Sequence, residues 1–279
     1  MFKQYVHAEI AAGLDETYRF EGWAERTPGA AYYDVHVAVI DERETCVPIL
    51  REVLGAPGQR VLESGCGSGR WMAWFERQGH RAVGVDDSPG PLATARAHDR
   101  GLRLVRGDAE VSPFATGSFD VVFSAYVAEH FPAGPDVVLH EMHRVLRPGG
   151  ALVLIVPCQS WFRRLLMQPA LRAYYAVARL RGRPLAFTEH RFTRAEIVAA
   201  VRRAGFTVER VAPDDYRYPW AKGLCVDLGG LVRPAHLPPG SWELNGFGRV
   251  LSRALNALSP WAACAGVLVV GRKNVECGA

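Results

Sequence analysis

No run of apolar residues in this chain approaches the roughly 20 that a membrane-crossing helix needs. The two longest candidates, 151–157 and 261–270, are short and read as strands. A basic segment followed by an apolar run is missing from the first residues, so no secretory leader is expected. Six cysteines, Cys46, Cys66, Cys158, Cys225, Cys264 and Cys277, are scattered without a C-x-x-C pair. That excludes a disulfide frame and a cysteine zinc site, and it suits a reducing, cytoplasmic compartment. His140-Glu141-Met142-His143 lacks the spacing of an H-E-x-x-H zinc helix, and no metal is expected. Internal repeats and low-complexity segments are absent as well.

What remains is a chain of 279 residues with 49% apolar content, enough for one substantial core. A single α/β domain over 1–279 is the economical expectation. Residues 1–54 are expected to form an N-terminal helical cover carrying the aromatic group Phe20, Trp23, Tyr32 and Tyr33. After the Gly55-Ala56-Pro57-Gly58 turn, short apolar runs alternate with helical patterns. Strands are expected at 60–64, 82–86, 102–106, 118–124, 151–156, 206–211 and 265–270. Helices are expected at 70–78, 89–100, 135–146 and 193–204, the third stopped by Arg147-Pro148-Gly149-Gly150. The last is opened by a Thr193/Glu196 capping box. Strands spaced by helices of this length indicate βαβ units and a parallel sheet.

The first strand runs into Glu63-Ser64-Gly65-Cys66-Gly67-Ser68-Gly69. Glycines so close together let backbone amides approach a ligand where a side chain would collide. A dinucleotide site wants G-x-G-x-x-G, but the third glycine position holds Arg70, and the pattern is acid-x-G-x-G-x-G. Together with Gly107-Asp108-Ala109 and Leu146-Arg147-Pro148-Gly149-Gly150, this chain resembles the class I S-adenosylmethionine-dependent methyltransferases of the small-molecule type. The resemblance covers about 51–157, 189–211 and 265–273. It implies a Rossmann-like, seven-stranded, mostly parallel sheet in the order 3-2-1-4-5-7-6, and two helical insertions, after strands five and six, fall outside the match. These insertions are a lid at 158–188 and a second segment at 212–263.

The resemblance also implies S-adenosyl-L-methionine as cofactor and a role for each strand tip. Glu63 would hold the ammonium end, with Gly65, Cys66 and Gly67 against the amino acid portion. Asp86, 21 residues after Gly65, would accept the ribose hydroxyls, a role equally suited to a nicotinamide dinucleotide. Asp87 would lie beside the adenine, Asp108 would accept its exocyclic amine, and the Ala109 amide would donate to the ring. Ser124 would meet the amino acid end.

Methyl transfer from a sulfonium is an in-line displacement, helped by positioning and by removing the acceptor's proton where needed. His130, in the segment after strand four, and His190, on the lid side, are the candidate bases. Between Trp161 and Arg194 eight arginines face one acid, Glu189, within a chain whose net charge is only +4. The expected acceptor is a small molecule or lipid-linked intermediate, with a peripheral membrane contact through the arginine-rich lid. Nucleic-acid methylation is the disfavoured alternative: Pro157-Cys158 has no second Pro-Cys after strand four, and an N-P-P-Y sequence is missing there. A NAD-dependent oxidoreductase is a further alternative, opposed by Arg70.

Overall fold

Near-continuous buried runs along 61–64, 121–124 and 151–157 give each strand two buried faces, and this requires cover on both sides. The computed structural model describes residues 1–7, 40, 44–215, 221–234 and 243–275. In chain order the elements are β1 (Phe2–His7), α1 (Cys46–Leu54), β2 (Arg60–Ser64), α2 (Arg70–Arg77), β3 (Arg81–Asp86) and α3 (Pro89–His98). They continue with β4 (Leu104–Arg106), β5 (Phe119–Ala125), α4 (Asp136–Val145), β6 (Leu146–Pro157), α5 (Gln168–Leu180) and β7 (Leu185–Arg191). The chain then forms α6 (Arg194–Arg203), β8 (Phe206–Asp214), α7 (Lys222–Leu228), α8 (Gly246–Leu258) and β9 (Gly266–Lys273).

Seven strands make one sheet in the order β4-β3-β2-β5-β6-β9-β8, with β9 antiparallel to both neighbours and the other pairs parallel. Counting these seven strands alone, the order reads 3-2-1-4-5-7-6. Val61, Val121, Phe123, Val153 and Leu268 enter one core layer with Leu50, Met72, Trp74 and Phe75 from α1 and α2. Leu62, Val122, Leu152, Leu154 and Val269 enter the other, against Leu139 and Met142 of α4 and Ile197 and Val201 of α6. This sandwich of helices around a sheet leaves the carboxyl ends of β2, β3, β5, β6 and β8 along one edge.

Two expectations need correction. The first residues are a strand and not part of a helical cover: Lys3 faces out while Phe2 and Gln4 turn inward, and β1 pairs antiparallel with β7. The helical expectation does hold at α1, whereas Phe20, Trp23, Tyr32 and Tyr33 lie outside the described residues. The lid is not complete at Thr188 either. Its π-helical turn, Arg163–Met167, and α5 give way to β7, which runs through that boundary. In the second segment α7 and α8 are helical, and Trp220 and Trp242 fall outside the described residues.

The capping box opening α6 is formed: the Glu196 amide donates to Thr193 Oγ1 (3.3 Å) and the Thr193 amide to Glu196 Oε2 (2.9 Å). Thr193→Ala is expected to lower the unfolding free energy by about 1 kcal/mol in urea titrations with unchanged slope.

Candidate active site

The carboxyl edge is organised by the turn after β2. The Gly65 and Cys66 amides both donate to the Val85 carbonyl (2.8 and 3.0 Å), which extends the pairing with β3 into the turn. Gly65 sits at φ 76°, and a Cβ there would lie 2.2 Å from a Val127 methyl, so no larger residue fits. Gly69 precedes α2, whose first residue is Arg70. The Arg70 guanidinium pairs with Glu44 and lies over the Trp71 ring, away from the role a third glycine would serve. Cys66 is buried with its sulfur against Gly84, and burial pushes its thiol far up, so it packs as an apolar group.

Asp86, at the tip of β3, accepts the Gly67 amide on Oδ2 (2.8 Å) and the Ser88 amide on Oδ1 (2.9 Å). Burial raises its carboxyl above the ordinary aspartate value despite these bonds. Glu63 is buried on the strand itself. Burial first, then the nearby charge of Asp86, raises its carboxyl well above 4.5, and Oε2 has no partner. The Gly107 amide donates to the Asp86 carbonyl (3.0 Å) and brings the next turn alongside. There Asp108 is exposed, and its Oδ1 takes the Glu110 amide (2.8 Å). Ala109 is half-buried, while Asp87 is exposed and accepts from Ser88 Oγ (3.0 Å). The Ser124 hydroxyl is fully buried and donates to the Ser64 carbonyl (2.9 Å), tying β5 to β2 instead of opening onto the edge.

Beyond the turn lies a cluster that sequence inspection missed. Tyr126 follows β5 in the left-handed region, at φ 59°, a conformation uncommon for any residue but glycine and enriched at functional sites. Its hydroxyl donates to Asp214 Oδ2 (3.2 Å) across Gly266, where a Cβ would stand 2.9 Å from that hydroxyl. Asp215, also left-handed at φ 49°, is paired with Lys222 (Nζ to Oδ2, 2.7 Å). With Glu44 matched to Arg70, Asp214 is the carboxyl of this group that has no cation partner among the described residues, where its Oδ1 has no hydrogen-bond partner either. Burial, and next the charge of Asp215, push it up to about 8.

The two histidines sit further along the same edge. His130 is 47% exposed at its side chain and its Nδ1 lies 3.0 Å from the Thr188 carbonyl. His190 is fully buried in β7 between Phe187 and Phe192, 3.4 Å from the Pro132 carbonyl, and burial lowers its pKa. Among the described residues no cluster of histidine, cysteine or carboxylate side chains could hold a metal ion.

A family model described as a methyltransferase domain matches residues 62–154 of this chain. An uncharacterized methyltransferase of Synechocystis sp. is 32% identical over 158 residues, which span 56% of this chain and 70% of that protein. The chain belongs to the class I S-adenosylmethionine-dependent methyltransferases. The malonyl-[acyl-carrier protein] O-methyltransferase of Serratia marcescens is 31% identical over 124 residues, 44% of this chain and 48% of that enzyme. A solved S-adenosylmethionine-dependent methyltransferase from Mesorhizobium loti shares the fold, with TM-score 0.52 and 20% identity over 82% of this chain and 97% of that one.

Membership decides between the two ligands that Asp86 alone left open, and the edge of this methyltransferase fits S-adenosylmethionine. Two neighbouring carboxyls raised by burial, one with an oxygen lacking any donor, are relieved by an ammonium or sulfonium cation. The expected strand stopped at Val211, which left Asp214 in the second segment; the strand in fact runs on to Asp214. Pro213 continues β8 because this is an edge strand, where a missing amide costs no ladder bond. Consecutive acids at a strand's carboxyl end, Asp214-Asp215, were the available signal.

The raised Glu63 carboxyl has a stability consequence. Above its ordinary value of 4.5 the unfolded chain has lost a proton that the folded chain keeps, so stability falls as pH rises. Glu63→Gln removes that slope. In ligand-free protein the variant's gain in unfolding free energy over the unmodified chain is expected to grow with pH above 4.5, as read by urea melts across a pH series.

Proposed function

We propose that this methyltransferase transfers its methyl group to a small molecule or lipid-linked acceptor, and that the carboxyl edge from Glu63 to Asp108 holds the cofactor. The observation that carries the assignment is the Asp86 carboxylate, fixed by two backbone amides beside a turn with no room for side chains. Each of its oxygens keeps a lone pair for the ribose hydroxyls. Glu63 Oε2 then receives the ammonium end, directly or through water, and Gly65, Cys66 and Gly67 line the amino acid portion. Asp108 and the Ala109 amide meet the adenine from the neighbouring turn, with Asp87 at its rim. When bound, S-adenosylmethionine supplies an electrophilic methyl group on a positively charged sulfur.

Where the acceptor must lose a proton, we assign that step to Asp214 and not to His130 or His190. The carboxyl lacks a cation partner, and the Tyr126 hydroxyl holds its other oxygen in place. Both histidines are turned to backbone carbonyls that join the lid to the main sheet. The matched region of a malonyl-carrier O-methyltransferase and the basic lid favour an anionic acceptor, and the lid suits one presented at a membrane surface. Nucleic acid is not favoured.

Two measurements test this. Calorimetry with S-adenosylhomocysteine is expected to show binding that Asp86→Ala weakens at least tenfold, in line with about 1.5–3 kcal/mol for hydrogen bonds to a charged group; an unchanged dissociation constant removes the ribose assignment. Transfer of labelled methyl into a lipid and metabolite extract is expected to rise with pH through about 8, as Asp214 ionises. Asp214→Asn should lower it by roughly 10²-fold or more without altering S-adenosylhomocysteine affinity. Tyr126→Phe removes a donor that holds the Asp214 pKa down, so the rising limb should move to higher pH.

A further inference from the structure

The basic stretch from Trp161 to Arg194 divides into arginines that the fold consumes and arginines that it presents. Arg163 is buried and paired with Asp227, Arg191 is paired with Glu189, Arg179 lies over the Tyr5 ring, and Arg194 lies over Trp261. Arg164, Arg172, Arg181 and Arg183 are exposed, and their guanidinium groups have no carboxylate partner among the described residues. Glu189, the lone acid of the stretch, is already matched, and Glu196 close by is held by the chain's amino terminus and by Thr193.

Two of the free guanidinium groups, those of Arg164 and Arg172, face a cleft of about 610 Å³ between the chain start and the lid, outside the carboxyl end of β6. Trp161 and Leu165 share its wall, and they are 50% and 74% exposed. Gln159 lines it too, with its Nε2 given to Gln168 (3.0 Å) and its buried Oε1 lacking any donor. None of the cleft's lining residues belongs to the glycine turn or to the Tyr126–Asp214 cluster.

Leading away from the cleft, α5 is docked through buried Tyr175 and Ala178, with the Tyr5 amide donating to the Tyr175 hydroxyl (3.1 Å). Its opposite side repeats Ala170, Ala173, Val177 and Leu180 at i, i+3, i+7 and i+10, all exposed, with Leu180 at 87%. A fixed helix with an unburied apolar stripe and flanking arginines has the make-up of an interfacial membrane element. Arginine forks suit a phosphate bidentately, and tryptophan suits the headgroup level.

We propose that this cleft seats the headgroup of an anionic membrane phospholipid, with Arg164 and Arg172 on its phosphate and Gln159 Oε1 accepting from a headgroup hydroxyl, while Leu165 and the α5 stripe enter the bilayer interface. The inference rests on the reading of the lid as the membrane-facing side of the methyltransferase. It adds a specific site whose lining shares no residue with the glycine turn or the Tyr126–Asp214 cluster.

Co-sedimentation with phosphatidylcholine vesicles, with and without phosphatidylglycerol, tests it. The full chain should bind the anionic vesicles and leave the neutral ones. The double variant Arg164→Ala/Arg172→Ala should lose about thirtyfold in partitioning, from roughly 1 kcal/mol per arginine at an anionic surface. Leu165→Ser/Leu180→Ser should weaken the same binding with both arginines in place. The site is refuted if the chain ignores both vesicle types or binds them alike, if the arginine variant partitions as the unmodified chain does, or if soluble glycerol phosphate binds while vesicles do not. S-adenosylhomocysteine calorimetry on the same samples keeps the outcomes apart. Lost vesicle binding with intact cofactor affinity sinks the headgroup site alone, and absent cofactor affinity in the unmodified chain sinks the cofactor assignment.

Discussion

The Asp86 carboxylate accepts a backbone amide from each of two turns that arise on different strands. Without that clasp, the amides of Gly67 and Ser88 would each need another acceptor at a half-buried edge where water is only partly available. A side-chain carboxylate can do this because it offers two oxygens with four acceptor sites, of which the two turn amides take one on each oxygen. The glycine turn therefore keeps its shape for reasons internal to the fold, and the crevice above it is shaped before any ligand arrives.

Charge along this edge is arranged in an unbalanced way. Arg70 answers Glu44 and Lys222 answers Asp215, whereas Glu63 and Asp214 lie buried with no ion-pair partner among the described residues, and burial raises both carboxyls. Such groups weigh against the empty fold at neutral pH, and they persist in a sheet whose two faces are filled by large aromatic and aliphatic side chains. Strain is concentrated at the same place: Tyr126 and Asp215 are the non-glycine residues with positive φ among those described. The basic stretch shows the opposite economy, with Arg163 and Arg191 buried in ion pairs, Arg179 and Arg194 stacked on rings, and four arginines turned to the surroundings.

Much of this architecture could be read from residue order because local chemistry and tertiary packing agree. Arg60–Ser64 was placed to the residue by its apolar run and the following glycines, and α6 by its capping box. Identification of Glu63, Gly65, Asp86 and Asp108 as neighbours followed from a motif pattern, and the turns do bring these strand tips together. Contacts that depend on distant pairing left no such trace. Nothing local to Tyr126 announces Asp214, 88 positions away, and nothing in the first seven residues announces β7. Ser124 shows the converse: a polar residue at the right strand tip whose hydroxyl is taken by the neighbouring strand.

The two-stranded ribbon of β1 and β7 joins Gln4 to Thr188, 184 positions away, and β1 has no other sheet partner among the described residues. Closing so long a loop costs conformational entropy that the ribbon's own contacts must offset. The helix α5 is fastened to the same strand, β1, through the Tyr175 hydroxyl. The lid is thus tied to β1 at two places, through the pairing with β7 and through Tyr175 of α5.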